Sequence, residues 1–332
     1  MSLFDDNQRE LPANQSADVD SSSSATTLPA APAERAPSVV GGDPISLAGL
    51  SATPSAVLDQ YPEDLRISWS WPHLLLFLFF GVASQLAIGI AIVGYYSVVH
   101  HPTQKQLQKM VTSDPIFIVG TTLFWFALII LFLYMTLGVL RDMPFWKTLG
   151  WKKLNPDPLS GKGKPWMYFV SGCGLAIFVA FASSRVKDAD HAPIQELFKS
   201  RTGAMLLLGM AVLVAPVVEE TLFRGYLYPV LARIFSSLAQ MFGVEISTAI
   251  RTGVAISIFV TGTLFGLLHA PQLGWTWGLV SLLTLVGVIF TFARAWTGTV
   301  LASFLLHLGY NSMIALSSFI ATKGFTHMPP NH

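Results

Sequence analysis

Charge is what this sequence has least of. Asp, Glu, Lys and Arg make up 12% of its 332 residues, where soluble domains carry roughly a quarter. The shortage is uneven, because the long apolar runs carry almost none of the charge. With 52% hydrophobic residues, the apolar surface exceeds what one soluble globule can bury. Lipid is the solvent that accepts the rest. The net charge of +1 implies no strongly charged partner. No basic stripe interleaved with aromatics is present, so nucleic acid is not expected as a partner. Cysteine is nearly absent as well. Cys173 alone forms no intrachain disulfide and no Cys-based zinc site. The opening residues do not read as a secretory signal, because Asp5 and Asp6 stand where such a signal needs positive charge.

Residues 1–62 differ in composition from the rest. They are rich in Ser, Ala and Pro, hold acidic residues at 5, 6, 10, 18, 20, 34, 43 and 59 against Arg9 and Arg35, and lack lysine. Such a stretch buries too little apolar area to offset its ordering entropy, and a disordered tail is expected. Beyond it the apolar runs reach the ~20 residues needed to cross a bilayer. They lie at about 72–98, 115–140, 165–184, 203–235 with Pro216 inside, 250–269, 275–294 and 298–321. The expected fold is therefore an all-α, polytopic transmembrane bundle of about seven or eight helices. Its parts are N-terminal spans with a basic loop (63–164), a second membrane domain (165–323) and a short tail (324–332). Trp69, Trp71, Tyr95 and Tyr96 read as aromatic belts at the ends of the first span. Gly262-xxx-Gly266 and Gly274-xxx-Gly278 read as close-packing signals.

The loop at 141–165 carries Arg141, Lys147, Lys152, Lys153, Lys162 and Lys164. Positive charge marks cytoplasmic loops. Counting back two spans puts the N-terminal tail in the cytoplasm too. A multi-pass integral protein of the plasma membrane is expected.

Ionisable residues inside the bilayer are costly and usually functional. Those that stand out as a candidate site are Glu219, Glu220, Arg224, His269 and His307, with the polar Asn311 beside them. Glu220 and Arg224 stand four apart on one helical face and suit an ion pair. Glu219 is rotated about 100° away and has no local cation, which suits a general base. His307 and Asn311 also stand four apart, where both can donate to one oxyanion. Each element alone has an ordinary structural reading, but their confinement to neighbouring apolar segments does not. Simple span counting leaves Glu219, His269 and His307 at different depths, so the helix around Pro216 must break or tilt.

Glu-Glu-xxx-Arg, then Phe-xxx-His, then His-xxx-Asn, on successive helices, resembles the CAAX protease and bacteriocin-processing family. This family is also called Abi and includes the Ras-converting CAAX prenyl endopeptidases. The resemblance spans about residues 195–320. It takes in Ala215-Pro216-Val217-Val218-Glu219-Glu220-Thr221-Leu222-Phe223-Arg224-Gly225 and the Thr-Gly-Thr-Val-Leu-Ala-Ser-Phe-Leu-Leu-His stretch ending at His307. It implies an intramembrane glutamic endopeptidase. Glu219 would activate water and His269 would assist it. His307 and Asn311 would hold the oxyanion, and Glu220 and Arg224 would support the site. The implied substrate is a membrane-associated protein or peptide, with lipidation left open. No cofactor is expected. His-Glu-xx-His is absent, so a metal-free route is favoured, with zinc on the two histidines and a glutamate as the alternative. Two other readings stay open: a non-catalytic immunity or scaffold protein of the same family, and a proton- or ion-coupled transporter. A single polar cluster and the lack of an internal repeat speak against the transporter.

Overall fold

The computed structural model describes residues 60–154, 162–187 and 200–327. All but three residues of the expected N-terminal tail lie outside them. Regular structure among the described residues is entirely helical. The helices are α1 (Trp71–His100), α2 (Gln104–Ser113), α3 (Pro115–Leu133), the single turn α4 (Phe145–Thr148), α5 (Pro165–Ser183) and α6 (Arg201–Leu213). They continue as α7 (Ala215–Glu220), α8 (Tyr228–Met241), α9 (Ile246–Leu268), α10 (Trp277–Thr297) and α11 (Val300–Ala321). Among the described residues, seven helical segments are long and apolar enough to cross a membrane. Several polar side chains cap the helix ends. Asp114 accepts from the Ile116 and Phe117 amides at the start of α3. Glu245 and Thr299 cap α9 and α11 in the same way.

The fourth segment, Arg201–Met241, runs for 41 residues. As one straight helix it would be roughly 60 Å long, twice the hydrocarbon core. It does not run straight. The helix is interrupted at Val214, whose φ widens to −114° at ψ −51°, two residues before Pro216, whose missing N–H leaves the carbonyl four residues back without its helical bond. A wide π turn then occupies Thr221–Leu227. Such turns re-aim side chains and often mark functional sites.

Bare backbone brings the helices together. A Cβ on Gly172 of α5 would stand 2.0 Å from the Leu306 carbonyl oxygen of α11, and one on Gly309 would stand 2.0 Å from the Phe169 carbonyl oxygen. Gly262 and Gly266 likewise pack α9 onto Val288 and Thr284 of α10. The other glycine pair behaves differently from its sequence reading. Gly274 sits in the turn before α10 at φ +61°, and Gly278 faces the Val186 side chain. Hence 274–278 is not a helix-crossing motif.

A second departure concerns the approach to α1. Tyr61, Leu65, Ile67 and Trp69 are buried in a near-alternating pattern, so the chain packs against the bundle from Tyr61 onward. Trp69 is 1% exposed. It stacks on Tyr226 at 5.6 Å and donates to the Tyr226 carbonyl. It therefore belongs to the core rather than to an aromatic belt. Trp71, two residues on, is 60% exposed and faces outward.

One end of the bundle gathers several segments. Asp64 pairs with Arg294 near the end of α10 at 3.0 Å. The Val300 amide donates to the Gly150 carbonyl, and Thr299 Oγ1 to the Lys152 carbonyl. Residues 60–70, the 141–154 loop and the α10–α11 turn thus share this end.

Candidate functional site

The site forms where the broken fourth segment meets α9, α10 and α11. Glu220 and Arg224 are wholly buried. Arg224 Nη1 donates to Glu220 Oε1 at 2.9 Å, Nη2 to the Gly287 carbonyl at 2.8 Å, and Nε to Thr291 Oγ1 at 3.2 Å. The guanidinium carbon lies 4.7 Å from the Phe265 ring centroid and 5.3 Å from that of Phe290. Charge partner, neutral acceptors and ring faces together offset the desolvation of a buried cation.

Glu220 Oε1 has a second partner. His307 Nδ1 lies 2.9 Å from it. The other imidazole nitrogen, Nε2, lies 3.9 Å from Glu219 Oε2. Glu219 thus has an imidazole beside it, a neighbour that spacing along its own helix does not show. His307 joins the two adjacent glutamates by its opposite nitrogens. Its ring is held between Phe290, at 4.9 Å, and Phe265, at 5.9 Å. An imidazole whose Nδ1–H donates to a carboxylate has its tautomer and ring plane fixed.

His269 ends α9. Its Nδ1 lies 2.7 Å from the Phe265 carbonyl, and its ring packs on Phe265 at 4.8 Å. Phe265 therefore touches both histidines, and His269 is brought to the same cluster with its Nε2 edge uncommitted. Asn311 is placed otherwise than its spacing predicts. Its Nδ2 donates to the Ala211 carbonyl of α6 at 2.7 Å. The amide and His307 share no acceptor here, although an Asn amide retains a second N–H. Among the described residues no group of three or more His, Cys, Asp or Glu side chains is placed to hold a metal ion.

Several supporting residues have no local sequence signal. A Cβ on Gly225 would meet the Leu149 carbonyl oxygen at 2.8 Å, so the glycine after Arg224 admits the basic loop against the helix. Tyr226 is fully buried, and its hydroxyl lies 2.7 Å from His73 Nδ1 of α1. Trp151 donates to Thr221 at 3.0 Å. The turn bearing Glu219 and Glu220 is thus braced by the loop, by α1 and by the segment before it.

Two adjacent carboxylates, an arginine and two histidines inside a bundle of spanning helices define a polytopic membrane protein with an enzyme-like polar centre. Residues 201–313 match the family model described as type II CAAX prenyl endopeptidase Rce1-like. The matched stretch contains all six residues singled out from the sequence. No curated protein and no solved structure matches the chain.

Proposed function

We propose that this chain is an intramembrane endopeptidase that hydrolyses a peptide bond of a membrane-associated protein, with Glu219 as the base. One observation carries the reading. A buried Arg224–Glu220–His307 relay holds His307 Nε2 at 3.9 Å from Glu219 Oε2, a gap that suits a shared water rather than a direct bond.

In the first step Glu219 takes a proton from the water, and the water oxygen bonds to the scissile carbonyl carbon. The carbonyl π pair moves onto its oxygen. The oxyanion is taken up between His307 Nε2, whose ring Glu220 holds in place, and the spare N–H of Asn311. When the oxyanion collapses, the C–N bond breaks. The amine leaves with the proton that Glu219 holds. His269 orients the water or carries the proton between Glu219 and the departing nitrogen. The route is metal-free.

An open apolar groove of about 470 Å³ runs between α6 and α11, lined by Met205, Leu208, Gly209, Val212, Leu316 and Phe319. It begins one residue from Ala211, which Asn311 contacts. An apolar or lipidated substrate segment fits it. The test compares membrane-peptide termini in cells carrying the wild-type chain or Glu219→Gln. Cleaved termini that vanish in the variant support the reading; identical termini contradict it.

A further inference from the structure

We propose that the polar cleft at the loop end of the bundle binds the phosphate group of an anionic membrane lipid. This cleft is separate from the glutamate–histidine centre. It is lined by Glu63, Asp64, Arg66, Lys147, Lys152 and Arg294, with the turn glycines Gly150 and Gly298 at its edges. Lys147, Lys152 and Arg294 face two carboxylates, Glu63 and Asp64, so these side chains carry an excess of positive charge.

The accounting of partners leaves that excess in place. Glu63 pairs with Lys152 at 2.6 Å and Asp64 with Arg294 at 3.0 Å. Lys147 forms no ion pair among the described residues. Arg294 is 1% exposed, and its Nε has no hydrogen-bond partner among the described residues. A buried guanidinium N–H without a partner is costly, and with Nη1 and Nη2 held by Asp64 it is the Nε–H that is left to donate to a phosphate oxygen. The cleft holds about 30 Å³, room for roughly two water-sized groups. That suits phosphate oxygens with their ester arms left outside, and it excludes an organic ring.

The level of the cleft fits the same ligand. Trp71, Trp146, Trp166 and Trp296 are all exposed, and each lies at a helix end beside this face. Exposed tryptophans sit at the headgroup layer. Basic pockets between spanning helices at that layer take anionic headgroups. Gly150 and Gly298 stand at φ +84° and +72°. A side chain at Gly150 would meet the Arg294 guanidinium at 3.1 Å, so the turn keeps that guanidinium clear.

The test titrates the full chain, in non-ionic detergent, with dioctanoyl-phosphatidylglycerol, dioctanoyl-phosphatidylcholine and inorganic phosphate, read by calorimetry. One saturable site for phosphatidylglycerol is expected. Lys147→Ala weakens it about fivefold. Glu63→Gln, which removes a competing carboxylate, tightens it by a similar factor. Lys164→Ala, on an exposed lysine outside the cleft at the same end, leaves it unchanged. Equal losses in Lys147→Ala and Lys164→Ala would mean diffuse surface attraction and overturn the site. Equal binding of phosphatidylcholine would overturn the anionic preference. Inorganic phosphate binding as tightly, with the same Lys147 dependence, would assign the cleft to a free anion and overturn the lipid assignment.

Discussion

His307 and Glu220 meet at 2.9 Å in a site where Glu220 has no solvent exposure at all. Glu220 therefore does more than neutralise Arg224. It fixes which imidazole nitrogen is turned toward Glu219.

Breaking the buried pair from one side should be far worse than removing it whole. Glu220→Gln or Arg224→Met leaves one buried charge without its ion-pair partner, at a cost of about 3–5 kcal/mol. The double variant should recover much of that stability. It should not recover activity, because His307 then loses its anchor. Thermal unfolding in detergent and a cleavage assay on the same samples measure both effects.

The α5–α11 contact should tolerate no added carbon. Gly172→Ala places a methyl 2.0 Å from backbone, whereas Gly174, two residues away, has nothing within 4 Å. Gly172→Ala should lower the unfolding temperature and the cleavage rate together, since α11 carries His307. Gly174→Ala should change neither.

The apolar groove can be filled without a clash. Gly209 lines it, and a Cβ there has no neighbour within 4 Å. Gly209→Leu should raise KM for a substrate with a long apolar segment while leaving kcat near wild type. If instead kcat falls and KM holds, the groove is not where that segment lies.

A pH effect follows at the start of α9. Ser247 and Thr248, through side chains and amides, hold the exposed Glu245 carboxyl at about 2, against an ordinary 4.5. A depressed folded-state value adds stability that is present above the unfolded value and lost as pH falls through the folded one. The gap in unfolding temperature between wild type and Glu245→Gln should thus be full near neutral pH. It should close between about pH 4.5 and 2.

Much of this was legible in the sequence, and the reasons differ by element. The seven spans follow from composition, because apolar length alone marks them. The polar centre was visible because ionisable residues are so rare in those spans that Glu219, Glu220, Arg224, His269 and His307 stand out. What escaped depends on contacts between distant residues. Gly172 and Gly309 look like any membrane-helix glycines until α5 and α11 are laid together. The burial of Trp69 requires Tyr226 to be turned toward it by the π turn. The role of His307 as partner to Glu220 was hidden because i,i+4 spacing pointed to Asn311 instead. The need for a break near Pro216 was legible from depth alone; its position at Val214 was not.

The central claim is that Glu219 is the base and Glu220 is not. Purified wild-type, Glu219→Gln and Glu219→Asp chains in liposomes, given one membrane-anchored peptide, test it most directly by rate of bond cleavage. Glu219→Gln should lower kcat roughly 10²–10⁴-fold with unfolding temperature and KM unchanged, and Glu219→Asp should retain part of the rate. Glu219→Gln cleaving at the wild-type rate would contradict it.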